Sequence, residues 1–165
     1  MRYILIDRVV TVVPGVSLEA VKVFPSTDDA VHSDIEWVPY VPESLLVESL
    51  AQAGGILLST ETPEEPGGLV LAKVESVEFH RLVRPGERLE LKVRVLEGTG
   101  QAARLETVAF VGGEVVATMT YFLARRDVGA EEDVDQAAFV SAHTERAIVL
   151  GIARLLKRES SDEVS

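Results

Sequence analysis

Residues 42–60 read PESLLVESLAQAGGILLST, the most apolar long segment between the strand-like parts of the chain. Pro42 suits the first turn of a helix, and Glu43 stands where the helix dipole favours a carboxylate. The apolar residues that follow fall on every side of the helix instead of forming one stripe. We therefore predict a helix that is buried nearly all round.

Gly54 and Gly55 interrupt this apolar run and would weaken an isolated helix. Such glycines are tolerated where the surface of a helix must come close to another part of the chain. We expect the backbone of a packed sheet to approach the helix at this point.

Strand-like segments flank the helix on both sides. They are rich in β-branched residues and are separated by Pro-Gly and Gly-rich turns. The first covers residues 16–24, and the others cover residues 69–83, 88–96, 102–111 and 114–124. We predict that the last four form an antiparallel meander, which gives an α+β domain whose sheet curls around the helix.

The composition fits one autonomous domain. Its 165 residues are 47% hydrophobic and 26% charged, so the chain can bury a core without disulfides or metals. The absence of cysteine excludes a thiolate metal site and a cysteine nucleophile, and we predict no cofactor and no metal. No stretch approaches the roughly 18 to 20 apolar residues of a membrane span, so we expect a cytoplasmic protein without membrane contact.

The charge distribution limits the kinds of partner. A net charge of -11 argues against nucleic-acid binding, because phosphate neutralisation supplies most of that affinity. Basic residues are nevertheless concentrated between Lys73 and Arg94, a region that contains Arg81 and Arg84. This region either receives an acidic or phosphate-bearing carrier or is an ordinary solvated strand face.

Glu48 is a carboxylate inside the helix that we predict to be buried. Removing a carboxylate from water is costly unless it is paired, hydrogen-bonded or protonated. Glu48 is therefore a candidate general acid or base. The alternatives are that it reaches solvent through a gap in the sheet or pairs with an arginine from a strand.

Residues 39–55, PYVPESLLVESLAQAGG, resemble a segment of the hotdog-fold 3-hydroxyacyl-acyl-carrier-protein dehydratases of fatty acid synthesis. The resemblance extends to IDRVVTVVPG at residues 6–15, to VSLEAVKVF at 16–24, and to KVESVEFHRLVRPGERLELKVRVL at 73–96. It covers approximately residues 4 to 125. It implies a hotdog fold, with a long central helix wrapped by a curved antiparallel sheet.

The resemblance also implies a catalytic pair. Glu48 matches the helix glutamate of that family, whereas Asp34 stands at the position of its catalytic histidine. His32 lies two residues upstream and could replace it only if the loop shifts. Asp34 and Glu48 could divide the acid and base roles, or Asp34 could be a loop residue in a domain whose chemistry has lapsed.

The substrate implied by the resemblance is a 3-hydroxyacyl chain on an acyl carrier protein or on coenzyme A. We expect six further residues to contact it, namely Trp37, Tyr40, Val41, Glu43, Gln52 and Phe79. Arg81 and Arg84 are the residues expected to contact the carrier. Two alternatives remain, a catalytically silent hotdog subunit that binds acyl chains or pairs with an active homologue, and a hotdog acyl thioesterase.

The resemblance further implies that two subunits share each catalytic site. A curled sheet with open edge strands independently favours pairing with a second copy. We therefore predict a homodimer or a dimer of dimers. The hotdog domain should occupy residues 1–125, and residues 126–165 should form a C-terminal extension with an amphipathic helix and a frayed tail.

Overall fold

The computed structural model describes residues 4–27, 39–61, 68–99 and 101–125. Within these residues, one long helix lies against a single antiparallel sheet. The helix α1 spans Glu43–Ser59, and the strands are β1 (Arg8–Val13), β2 (Ser17–Val23), β3 (Leu69–Phe79), β4 (Arg88–Gly98), β5 (Ala102–Val111) and β6 (Glu114–Arg125). The predicted extension at residues 126–165 lies outside the described residues.

The order of strands in the sheet is β1-β2-β4-β5-β6-β3, and every neighbouring pair is antiparallel. β4, β5 and β6 form the expected meander. The prediction was wrong for β3, which pairs with β6 at the edge of the sheet and not with β4. β1, which pairs with β2 through the turn at Gly15, was not predicted as a strand of its own.

The connection between β3 and β4 explains why these two strands are not neighbours. His80 donates its backbone N–H to Val116 on β6, at 2.9 Å. Val83 O then accepts the N–H of Val41, just before α1, at 2.8 Å, and Gly86 donates its N–H to Phe24 at 2.8 Å. The chain therefore leaves β3 after Phe79, passes the start of α1, and arrives beside β2.

The core lies between α1 and the concave face of the sheet. Alternate residues of the strands point into it and are at most 2% exposed, including Leu89, Leu91, Leu105, Met119 and Leu123. On the helix, every residue from Ser49 to Leu58 is buried, whereas Glu43 and Ser44 in the first turn are exposed. The predicted burial on all sides is confirmed after the second turn.

Gly54 is the point of closest approach between helix and sheet. A Cβ at this position would overlap the hydroxyl of Tyr121 and lie 3.0 Å from its Cζ atom. The expected close approach is confirmed, but the approaching group is an aromatic side chain and not another backbone. Tyr121 is fully buried, donates to Leu50 O at 2.9 Å, and lies 2.9 Å from the hydroxyl of Thr107.

This α+β arrangement, in which a curved antiparallel sheet wraps one long buried helix, is the hotdog fold that the family resemblance implies. No helix among the described residues is both long and apolar enough to cross a membrane.

Candidate active site

Glu48 lies in the second turn of α1 and is half-buried. Gln52, one turn further along the helix, donates from Nε2 to Glu48 Oε1 at 3.0 Å. Among the described residues, no arginine forms an ion pair with Glu48. The partner of the Glu48 carboxyl group is therefore a neutral side-chain amide, which donates to one of its two oxygens.

Two polar side chains of α1 attach the N-terminal segment to the helix. Gln52 Oε1 accepts the backbone N–H of Leu5 at 2.8 Å, and Ser49 Oγ donates to Leu5 O at 2.7 Å. Ser49 is 0% exposed and Gln52 is 7% exposed. Buried polar groups need hydrogen-bond partners. Here the backbone N–H of Leu5 is a partner of Gln52, and the backbone C=O of Leu5 is the partner of Ser49.

Two adjoining cavities lie at the start of α1. One has a volume of about 450 Å³ and is lined by Pro39, Tyr40, Arg81, Leu82, Arg84 and Glu87. The other has a volume of about 230 Å³ and is lined by Val41, Glu43, Leu46, Phe79, His80, Arg81, Leu82 and Val83. The structure therefore brings six of the predicted site residues together: Tyr40, Val41, Glu43, Phe79, Arg81 and Arg84. Glu48 and Gln52 line neither cavity, because they lie further along the helix.

Arg81 lines both cavities and is held by carboxylates. It donates to both oxygens of Glu87, at 2.9 Å and 3.1 Å, and its Nε lies 3.4 Å from an oxygen of Glu114. The hydrogen bonds from Arg81 lower the pKa of Glu87, and the same bonds raise the pKa of Arg81. Arg81 is therefore an ion-pair residue that holds the connection between β3 and β4.

Some basic residues of this region form ion pairs with carboxylates, whereas Arg84 does not within the described residues. Lys92 lies 3.3 Å from Glu19, and Arg94 lies 2.8 Å from Glu106. The side chain of Arg84 is exposed and forms no ion pair with another residue in the described part of the chain, while its backbone N–H donates to Glu87 at 2.8 Å. Arg84 is thus the more accessible of the two residues predicted to contact a carrier.

A third cavity, of about 540 Å³, lies at the opposite end of α1. Its lining includes Leu58, Glu61, Leu69 and Leu123. None of the predicted site residues that the structure describes borders this cavity.

Asp34 and Trp37 lie outside the described residues, as does His32. The pairing of Asp34 with Glu48 therefore stays a prediction. Over the four described ranges, no cluster of three or more His, Asp or Glu side chains is arranged to hold a metal ion.

Ser49 and the backbone of Leu5 are the parts of this arrangement that sequence reasoning missed. A signal for Ser49 was present, since it is a polar residue in the middle of an apolar helix. The contact with Leu5 had no signal, because it joins residues 44 positions apart along the chain.

The chain is similar to a known family over most of its length. A model of the FabA-like domain matches residues 2–120. The 3-hydroxyacyl-acyl-carrier-protein dehydratase FabZ of Nitratidesulfovibrio vulgaris (strain DSM 19637 / Miyazaki F) is 36% identical over 129 residues, which are 76% of this chain and 84% of that relative.

Solved structures with the same fold include more distant proteins. A chain of the dehydratase heterocomplex ApeI:P from Xenorhabdus doucetiae superposes with a TM-score of 0.66 at 16% identity, covering 76% of this chain and 84% of that one. The protein smu.793 of Streptococcus mutans, bound to acetyl CoA, superposes with a TM-score of 0.57 at 13% identity, covering 72% and 86%. At these identities the likeness shows the fold, whereas the FabA-like match and the FabZ relative show that the chain belongs to the FabA-like family of FabZ-related 3-hydroxyacyl-acyl-carrier-protein dehydratases.

Proposed function

We propose that this protein is a dehydratase that converts 3-hydroxyacyl thioesters into trans-2-enoyl thioesters. The observation that carries the proposal is Glu48, a half-buried carboxylate on the central helix of a FabA-like domain, held by Gln52. The FabZ relative acts, by its name, on the same class of substrate.

The reaction needs one group to remove the proton at C2 and another to protonate the hydroxyl that leaves C3 as water. Glu48 supplies one of these groups. We assign the second role to Asp34, which an ungapped reading of the resemblance places at the histidine position of the family. Two carboxyl groups can divide such roles when their surroundings favour protonation of one and ionisation of the other.

The cavities at the start of α1 support a site for the thioester end of the substrate. The helix dipole places partial positive charge at this end, which favours a thioester oxygen that gains negative charge in the reaction. Glu43 opposes this effect, but its exposed side chain is screened by solvent. Tyr40, Val41 and Phe79 offer apolar contacts in the same place.

We further propose an acyl carrier protein as the carrier and Arg84 as its main basic contact. Arg84 borders the larger of these two cavities at the start of α1, and its exposed side chain forms no close ion pair within the described residues. Arg81 contributes less to the carrier contact, because Glu87 and Glu114 already neutralise it. We also propose a cytoplasmic location, as predicted from the sequence.

We also propose a homodimer or a dimer of dimers. β3 pairs with β6 on one side and with no other described strand on its second side. Val74 and Phe79 on this strand are each 38% exposed. An open strand edge with exposed apolar side chains favours pairing with a second copy. A monomeric mass by sedimentation at micromolar concentration would refute this assembly.

Product analysis tests the proposed activity. The purified chain is incubated with a short 3-hydroxyacyl thioester on an acyl carrier protein, and the products are identified by mass spectrometry. An unsaturated thioester that has lost water supports the proposal. Release of the free hydroxy acid and the free thiol would indicate a thioesterase, and binding without conversion would indicate a silent subunit; either result contradicts the proposal.

A further inference from the structure

The side chain of Gln52 connects the backbone of Leu5 to the carboxylate of Glu48. The N–H of Leu5 donates to Gln52 Oε1 at 2.8 Å, and Gln52 Nε2 donates to Glu48 Oε1 at 3.0 Å. Both bonds use one planar amide group. The backbone of Leu5 and the proposed catalytic carboxylate are therefore joined by two consecutive hydrogen bonds.

The bond from Leu5 fixes the orientation of this amide. A backbone N–H can only donate, so the group that faces it must be the amide oxygen. A flipped Gln52 would place a donor against the donor of Leu5 and an oxygen against the carboxylate of Glu48. Because Nε2 must then face Glu48, Glu48 Oε1 stays an acceptor, and any proton that Glu48 carries lies on Oε2.

Burial makes this arrangement rigid. Leu5 is 3% exposed and Gln52 is 7% exposed, so water has little access to the bond between them. Ser49, which is 0% exposed, donates to Leu5 O at 2.7 Å and holds the same residue from its carbonyl side. The donor that orients Gln52 is thus itself held by α1, the helix that carries Glu48.

We infer that Gln52 is a positioning residue, oriented by the backbone of Leu5, that directs Glu48 Oε2 toward the substrate; this inference rests on the proposed function. In the reaction, the O–H bond at Oε2 breaks, the proton joins the departing C3 hydroxyl, and water leaves. Glu48 becomes a carboxylate that still accepts from Gln52 through Oε1. The proton from C2 goes to the second group of the site.

Two substitutions at Gln52 test this role. Gln52→Met keeps the length of the side chain but removes its donor and acceptor, so kcat should fall about 10- to 100-fold while KM changes less than about 3-fold. Gln52→Glu keeps an acceptor for Leu5 and, when protonated, a donor for Glu48. Its kcat should be low at alkaline pH and rise toward the wild-type value as the pH falls, a recovery that Gln52→Met should not show.

The matched control is Ser59→Ala on the same helix. It removes the bond from Ser59 to Gly55 O, 2.8 Å long and remote from Glu48, and should leave kcat unchanged. An increase in KM with kcat retained in Gln52→Met would make Gln52 a substrate contact and overturn the inference. If Gln52→Met fails to fold, the pH profile of Gln52→Glu alone decides, and a flat profile overturns the inference.

Nuclear magnetic resonance separates this inference from the proposed function, because it needs no turnover. The amide of Leu5 should exchange with solvent at least about 5-fold faster in Gln52→Met than in the wild type. The side-chain amide signals of Gln52 should shift in Glu48→Ala. An active chain in which neither change occurs would overturn the inference alone, whereas both changes in a chain without dehydratase activity would overturn the proposed function alone.

Discussion

The hydroxyl of Tyr121 occupies the space that a Cβ at Gly54 would need. Its proton goes to Leu50 O, at 2.9 Å, so an aromatic residue of β6 is anchored to the backbone of α1. This contact sets the distance between the helix and the sheet. It also fixes the depth at which α1 presents Glu48, half a turn before Leu50.

Gly54→Ala should therefore destabilise the protein, although the same change stabilises an ordinary helix by about 1 kcal/mol. The added methyl group meets Tyr121 in a filled core, and we expect a net loss of about 1 to 3 kcal/mol in the free energy of unfolding. Urea denaturation measures this loss. Combining the change with Tyr121→Phe, which removes the overlapping oxygen, should cost less than the sum of the two single changes; strict additivity would contradict the contact.

Tyr121→Phe should change the pH dependence of stability. Burial raises the pKa of Tyr121 above its usual 10.0, so the folded protein keeps the phenol proton where the unfolded chain loses it. The buried phenol of Tyr121 makes its full contribution to the free energy of unfolding below about pH 10. This contribution is lost as the pH rises above that value. Wild-type stability should thus fall more steeply than that of the variant in alkaline solution. At neutral pH the variant should lose about 1 kcal/mol in the free energy of unfolding. Parallel profiles of stability against alkaline pH for the two proteins would contradict a raised pKa of Tyr121.

The helix and most strands could be predicted because their signals are local. Apolar residues on all sides of residues 42–60 predicted a buried helix, and turn residues marked the strand ends. The position of β3 could not be predicted, because pairing with β6 depends on the path of residues 80–87 past the start of α1. Glu48 stood out as a charge in an apolar helix, whereas the contacts of Gln52 with Leu5 depend on tertiary packing.

Glu87→Gln should weaken the connection between β3 and β4. Arg81 lowers the pKa of Glu87 below 4.5, so the ion pair stabilises the fold above that pH, and this stability is lost as the pH falls through the lowered pKa. We expect a loss of up to about 1 kcal/mol at neutral pH, which disappears in acid. Glu106→Gln, whose partner Arg94 is 63% exposed, is the control and should have a smaller effect. Equal losses of stability in Glu87→Gln and Glu106→Gln would contradict a larger contribution from the ion pair between Arg81 and Glu87.

Arg84→Gln should weaken binding of the carrier without affecting the chemistry. KM for a carrier-protein thioester should rise about 2- to 5-fold at low salt, while kcat and the rate with an N-acetylcysteamine thioester stay unchanged. Arg94→Gln removes the same charge from a residue paired with Glu106 and should have little effect. Steady-state kinetics at two salt concentrations makes the comparison, and a similar rise of KM in both variants would exclude a local contact.

Glu48 is assigned a direct part in dehydration, and the reverse reaction, the hydration of an enoyl thioester, isolates this role. The absorbance of a short trans-2-enoyl thioester is followed after addition of the wild-type protein or of Glu48→Gln, which keeps a side chain of the same size for Gln52 to contact. We expect the enoyl absorbance to fall with the wild type, with the thioester bond intact, and at least about 100-fold more slowly with Glu48→Gln. Equal rates for a folded Glu48→Gln variant and the wild type would contradict the assignment of Glu48.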